Sequence, residues 1–246
     1  MALRGRLPFT YSIANFPTAR ALEQIRNDVV FHQLPVTIVA VGTGYGYGVL
    51  GYSHHALEDI GILRGLPGMR ILSPSTDEEL DACLQLISRE PGPTYLRIDK
   101  DPVVDEISTE LLDITRPREQ VVGDSQIIVL STGSISRSVN QAIQGMDEAS
   151  RRKFSHYSIC QIKPLRLDSN LLRRSKVIIT VEEHSVTSGF GSAVLEQLEG
   201  TEEISKVRRI GAPDRLSNLV GSAEFLRTNA GLDADSLRLQ FLRLSD

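Results

Sequence analysis

The chain reads as an α/β protein of two domains, each a mostly parallel sheet flanked by helices. Two features of its 246 residues predict this. Short apolar runs bounded by turn residues alternate with segments whose apolar residues recur every three or four positions, the rhythm of βαβ units. A charged stretch over residues 100–123, carrying Pro102 and Pro117 and little periodicity, splits that rhythm into two series.

In the first series, residues 8–13 (PFTYSI) form a short strand. Thr18 is placed to cap a helix running to about residue 34, with Ala21, Leu22, Ile25 and Val29 on one face. A strand over residues 36–41 leads into a glycine-rich loop, followed by a helix over 56–64 and a strand over 69–72. Pro74 and Thr76 start a helix through residue 88, with Leu80, Cys83, Leu84 and Ile87 as its apolar face, and residues 94–98 are a strand. The second series has strands over residues 126–131, 154–159, 176–182 and 207–210, and helices over 136–146, 188–198, 221–229 and 236–244. These bounds give a first domain over 1–101, a linker over 102–122 with a short element near 107–112, and a second domain over 123–246.

Hydrophobic residues at 41% and charged residues at 24% are the profile of a globular protein. A net charge of −4 without a long basic run argues against nucleic acid or an acidic membrane surface as partner. No apolar run is long enough to span a bilayer and the N-terminus has no signal-peptide pattern, so a cytoplasmic protein is expected. Cys83 and Cys160 have no metal-ligand spacing and read as small core hydrophobes. No metal ligands are assigned on this chain.

The richest stretch follows the strand at 36–41. It places Gly42, Gly44, Gly46, Gly48 and Gly51 ahead of the adjacent His54 and His55. Glycine at this density lets backbone turn tightly or lie against a ligand, and the carboxyl ends of strands are where α/β proteins hold ligands. Gly46-Tyr47-Gly48-Val49-Leu50-Gly51 matches G-x-G-x-x-G, but the next strand ends in Ile71-Leu72-Ser73-Pro74-Ser75, without the acid that a dinucleotide ribose requires. His54 is either a polar hand reaching into a cleft or a hydrogen-bonded loop residue. Glu58 and Asp59 read as first-turn acids favourable to the following helix. Glu182-Glu183-His184, ahead of Gly189-Phe190-Gly191, is either an anion site at a helix N-terminus or a structural or interface element; paired carboxylates favour the second.

Taken in order, several motifs resemble the transketolase family of thiamine-diphosphate enzymes. Pro8-Phe9-Thr10-Tyr11-Ser12, Arg20-Ala21-Leu22-Glu23-Gln24-Ile25-Arg26, Gly51-Tyr52-Ser53-His54-His55-Ala56-Leu57-Glu58-Asp59, Leu66-Pro67-Gly68-Met69 and Gly92-Pro93-Thr94-Tyr95-Leu96-Arg97 are similar to its pyrimidine-binding domain. Ile162-Lys163-Pro164-Leu165, Val181-Glu182-Glu183-His184 and Gly189-Phe190-Gly191 are similar to its C-terminal domain. The resemblance implies transfer of a two-carbon ketol unit between sugars on thiamine diphosphate, whose diphosphate and Mg²⁺ a partner subunit or domain would hold. It implies His54 as the catalytic histidine, Phe16 or its competitor Tyr11 as the aromatic on the cofactor's pyrimidine, and His55, Arg97 and Lys100 on the substrate side. Phe16 as an ordinary core residue remains an equal reading.

Three departures from the family pattern shape these expectations. Met1-Ala2-Leu3-Arg4-Gly5-Arg6 matches the end of a helix that in the family follows a G-I-x-E-Q motif bearing the essential glutamate. Leu50 stands where an aspartate reads a sugar hydroxyl, and Gly42 and Lys100 stand where a histidine and an arginine hold a sugar phosphate. The expected protein is therefore a homo- or hetero-oligomeric subunit that works only with an N-terminal partner. The alternatives are a non-catalytic remnant or interaction protein, and a nucleotide binder using the glycine loop.

Overall fold

A computed structural model describes residues 1–100 and 112–245. It contains two sheets, each of five strands, built from the two series of elements. Strand β1 (Phe9–Ile13) leads into a helical stretch in which a short turn, α1 (Leu22–Gln24), is flanked by wider π-type turns at Phe16–Arg20 and Ile25–Val30. There follow β2 (Thr37–Val41), α2 (Asp59–Arg64), β3 (Arg70–Leu72), α3 (Asp77–Arg89) and β4 (Thr94–Ile98). The second series holds β5 (Arg118–Val121), β6 (Ile127–Thr132), α4 (Ile135–Gln144), α5 (Glu148–Arg151), β7 (Phe154–Ser158), β8 (Gln161–Lys163), α6 (Ser169–Arg174), β9 (Val177–Ser185), α7 (Phe190–Gln197), β10 (Val207–Ala212), α8 (Ala223–Ala230) and α9 (Ala234–Ser245). None of these helices is long and apolar enough to cross a membrane.

The first sheet runs β1-β2-β4-β3-β8 and the second β10-β9-β6-β7-β5. Pairing is parallel throughout except at β3–β8 and β5–β7, one antiparallel edge on each sheet. The parallel strands read as unbroken apolar runs because both faces are covered; all six residues of β6 are buried. On α3, Cys83, Leu86 and Ile87 are buried at helical spacing, and Thr76 caps the helix by accepting the Glu79 N–H at 3.2 Å.

The structure corrects several expectations. Thr18 does not cap a helix: it is buried inside the first π-type turn and donates its hydroxyl to the carbonyls of Ala14 and Asn15. Leu84 is exposed, one position off the face that Cys83 and Ile87 share. The stretch read as linker supplies β5 at its far end, and the element expected near 107–112 falls almost wholly outside the described residues. Strand β8 was not foreseen: three residues are too few for a periodic signal, and they come from the second series yet complete the first sheet. Helices α5 and α6 were missed for the same reason of length. Cys83 and Cys160 are both fully buried, as read, but they are also neighbours, with Sγ atoms 3.3 Å apart.

The second sheet encloses a chain of polar side chains. His156 on β7 is fully buried, with Nδ1 2.6 Å from Asn140 Oδ1 and Nε2 2.6 Å from Ser131 Oγ, which in turn lies 2.7 Å from Ser136 Oγ. Burial alone drives the imidazole pKa down to about 3, so the ring is neutral, donating from Nδ1 and accepting at Nε2. The folded chain refuses a proton that the unfolded chain accepts below its ordinary value of 6.5. This contribution to stability is present above that value and is lost as pH falls towards the folded value. Urea unfolding at pH 5 should therefore show about 2 kcal/mol less stability from this residue than at pH 7, and His156→Asn should flatten that part of the pH dependence.

Candidate functional site

The carboxyl ends of β1, β2 and β4 form one rim, because these strands are parallel neighbours in matched register: Ile13 pairs with Val41 and Val41 with Ile98. The chain leaves this rim at three points. After β1 come Asn15 and Phe16; after β2, the glycine loop; after β4, Asp99 and Lys100. The register carries into the turns, since Ala14 donates to the Val41 carbonyl at 3.0 Å and Gly42 to the Ile98 carbonyl at 3.0 Å.

The glycine loop folds as it does because two of its glycines leave room for other side chains. Gly42 has φ +72°, and a Cβ there would meet the Tyr47 ring at 2.1 Å. Gly44 has φ +58°, and a Cβ there would meet the Glu183 side chain at 2.4 Å. Gly44 and Ala56 exchange backbone hydrogen bonds of 3.0 and 2.9 Å, closing the loop at its base and presenting residues 45–55 above the rim.

His54 and Phe16 meet on this rim, their ring centroids 5.2 Å apart in an edge-to-face arrangement at 76°. Asn15 Nδ2 donates to the Ser53 carbonyl at 2.7 Å, and Ser53 Oγ lies 3.0 Å from His54 Nδ1. The two segments therefore hold each other, and no protein partner occupies His54 Nε2 among the described residues. Lys100 sits over the Tyr47 ring at 5.6 Å from its centroid.

The other expected site residues lie elsewhere. Tyr11 is two residues inside β1, 71% exposed and out of ring contact with His54. His55 is buried between the Tyr45 and Tyr52 rings, at centroid distances of 5.3 and 6.3 Å. Neither of its ring nitrogens makes a well-formed hydrogen bond, and burial holds its pKa below the usual value, which the Gly48 backbone offsets only in part. A neighbour of His54 in sequence, it points into the loop rather than out of it.

Arg97 is the main correction: it faces inward and is 3% exposed. Its Nε donates to Asp59 Oδ2 at 2.7 Å and its Nη2 to the carbonyls of Glu183 at 2.9 Å and Ala56 at 3.2 Å. Its guanidinium thus ties β4, the loop and β9 together. Asp59 opens α2 as a first-turn acid, as expected, but is buried there. It is the buried counter-ion of Arg97 and accepts a further 2.7 Å bond from the Tyr95 hydroxyl. Burial pushes the Asp59 carboxyl up, but the Arg97 charge and the bonds from Arg97 and Tyr95 offset this and keep it below the ordinary carboxylate range.

The Glu182-Glu183-His184 run meets this network from the second sheet, and its structural reading holds. Glu182 accepts the N–H groups of Phe190 and Gly191 at 2.5 and 2.8 Å, occupying the start of α7 where an external anion would have to sit. Its burial raises its pKa to about 7 against those bonds. Glu183 accepts the Tyr45 N–H at 2.8 Å and pairs with Arg227, which reaches on to Asp99 at 3.1 Å. His184 Nε2 accepts the Gly61 N–H at 3.2 Å, and burial keeps the ring neutral. Among the described residues, no group of three or more His, Cys, Asp or Glu side chains converges on a metal-sized point.

The chain is similar to known proteins. Residues 1–104 match the family model described as transketolase, pyrimidine binding domain, and residues 118–237 match transketolase, C-terminal domain. An apulose-4-phosphate transketolase subunit of Phocaeicola vulgatus is 30% identical over 241 residues, which cover 96% of this chain and 76% of that protein. The putative transketolase C-terminal section of Methanocaldococcus jannaschii is 30% identical over 243 residues, covering 96% and 75%. Among solved structures, one described as a split gene transketolase, inactive β4 tetramer, superposes with a TM-score of 0.85 at 27% identity, over 99% of this chain and 78% of that one.

Breaking the buried pair should be costly. Arg97→Met leaves the Asp59 carboxylate uncompensated, at an expected cost of about 3–5 kcal/mol. The thermal unfolding midpoint should fall by roughly 10 °C. The double change Arg97→Met with Asp59→Leu should recover part of that loss, because no lone buried charge remains.

Proposed function

The chain belongs to the transketolase family, as its C-terminal section, and we propose that it is one subunit of a split enzyme that transfers a two-carbon ketol unit between sugars on thiamine diphosphate. The partner, an N-terminal subunit, would carry the diphosphate-binding domain and the Mg²⁺. The observation that carries this reading is the meeting of Phe16 and His54 on the rim of β1, β2 and β4.

The residues present fit the cofactor's flat end. Phe16 is half buried, and an edge-to-face contact with His54 leaves at least one face of its ring uncovered by that histidine, able to stack on a heteroaromatic ring. Tyr11 is the second choice, because it lies farther back along β1. When bound, thiamine diphosphate supplies the electron sink for breaking and making a carbon–carbon bond beside a carbonyl.

This chain's task is to bind and orient. Ser53 fixes the His54 ring through Nδ1 and leaves Nε2 to meet a substrate oxygen. If Nδ1 accepts the Ser53 hydroxyl, Nε2 bears the proton and donates it to that oxygen; in the other tautomer Nε2 accepts. Lys100, held over Tyr47, offers a positive charge on the same rim to an anionic end of the substrate. With glycine at 42 and leucine at 50, the wall is less polar than one that reads a sugar through histidine and aspartate. His55 and Arg97 act behind it, shaping the loop. A cytoplasmic enzyme of oligomeric form fits this reading.

Calorimetry on the chain alone should give weak or no binding of thiamine diphosphate with Mg²⁺, and tight binding once the partner is added. Tight binding by the isolated chain would sink the split-site reading. In the reconstituted enzyme, His54→Ala should lower kcat by about 10²–10⁴-fold, with the assembly still forming; unchanged turnover would make His54 a loop residue. Phe16→Ala should raise the apparent Kd for thiamine diphosphate by roughly tenfold.

A further inference from the structure

The exposed apolar side chains of this protein are not scattered evenly. Six large ones lie on two segments that touch: Val49, Leu50 and Tyr52 on the glycine loop, and Leu216 and Val220 on the connection from β10 to α8 with Phe225 in the first turn of α8, each between 45% and 76% exposed. Gly221 donates its N–H to the Gly48 carbonyl at 3.3 Å. A Cβ on Gly51 would lie 3.4 Å from Val220, one on Gly48 2.4 Å from Leu226, and one on Gly221 2.6 Å from the Phe225 ring. Tyr52 and Leu216 line one notch of about 320 Å³ together with Glu58, Asp214 and Arg215. The patch is thus continuous across the seam between the first and second series.

Its size is informative. Six such side chains at half to three-quarters exposure present about 600 Å² of surface. This is the upper end of what a lone protein leaves uncovered and approaches the ~800 Å² that each partner contributes to a stable interface. Its position is informative too, because the patch starts on the loop that carries His54. Whatever closes over His54 must also lie on Val49 and Leu50, and Leu216, Val220 and Phe225 extend the same surface.

We propose that the complementary diphosphate-binding subunit docks on both halves of this chain at once, with the segment over residues 214–225 of the second half, the connection into α8 and its first turn, forming an apolar part of its footprint beside the His54 loop. This rests on the split-enzyme reading. The footprint makes the second half a recognition element for the partner rather than a passive appendage. The notch lined by Glu58, Asp214 and Arg215 gives the partner a charged contact beside the apolar ones.

The test is co-expression of the chain with the N-terminal diphosphate-domain protein of the same genome, with assembly in thiamine diphosphate and Mg²⁺ followed by analytical ultracentrifugation. Leu216→Asp with Val220→Asp should weaken assembly at least tenfold while the unfolding midpoint of the chain alone stays unchanged. Should the aspartates disturb folding, Leu216→Asn with Val220→Thr carries the same test. Assembly weakened less than tenfold overturns the proposal and leaves the split-enzyme reading intact. Wild-type chain that does not assemble with that protein at all overturns both. Self-association of the chain alone that the variants abolish, with the mixed assembly unaffected, reassigns the patch to a second copy and also overturns the proposal.

Discussion

The rest of this structure depends on a buried run of charges between its two sheets. Arg97 binds Asp59, and its other amino group spans the carbonyls of Ala56 and Glu183. Glu183 binds the Tyr45 N–H and Arg227, and Arg227 reaches Asp99 beside Lys100. Each charge is expensive to bury alone, so each must find its partner, and the partners lie on different elements. The network therefore specifies one relative placement of the sheets. Oily contacts would tolerate several. The glycine loop is held at its base by this network, through Tyr45 and Ala56, and its tip stands clear of it.

This division of labour explains an arrangement that would otherwise look wasteful. Two adjacent histidines sit on one loop, yet only His54 reaches the rim; His55 is buried against two tyrosine rings. Of the two basic residues at and just beyond the end of β4, Arg97 is buried in an ion pair and Lys100 is exposed. In both pairs the buried residue packs the backbone next to the more open one. Rigidity at the inner residue is what gives the outer one a fixed direction.

Much of the fold was legible in the sequence because parallel strands write themselves as unbroken apolar runs. The strands β2, β4, β6 and β7 lie within a residue or so of their expected limits. The segments that escaped were short or held by distant partners. Strand β8 has three residues, and β5 carries charged side chains at a sheet edge. The site was half legible. His54 stands out as a candidate by its place after a strand and a glycine loop, and Phe16 only through the family resemblance; whether Arg97 or His55 faces in or out is decided by who stands opposite. Asp59, the residue that turns Arg97 inward, looks in sequence like any acid opening a helix. Its one distinguishing sign, an arginine alternating with tyrosine on a buried strand, has meaning only once the strand is known to be central.

Strand β8 has a consequence for how the molecule holds together as a topological object. Residues 161–163 cross from their own half to extend the other half's sheet, and Lys163 anchors the crossing by donating to the carbonyls of Arg64 and Leu66 at 2.7 and 2.6 Å. The two halves are consequently woven rather than strung. Cleaving the chain between residues 100 and 112 would leave fragments still laced by backbone pairing as well as by charge. Neither half is a free-standing building block that recombination could lend to another protein without leaving a sheet one strand short.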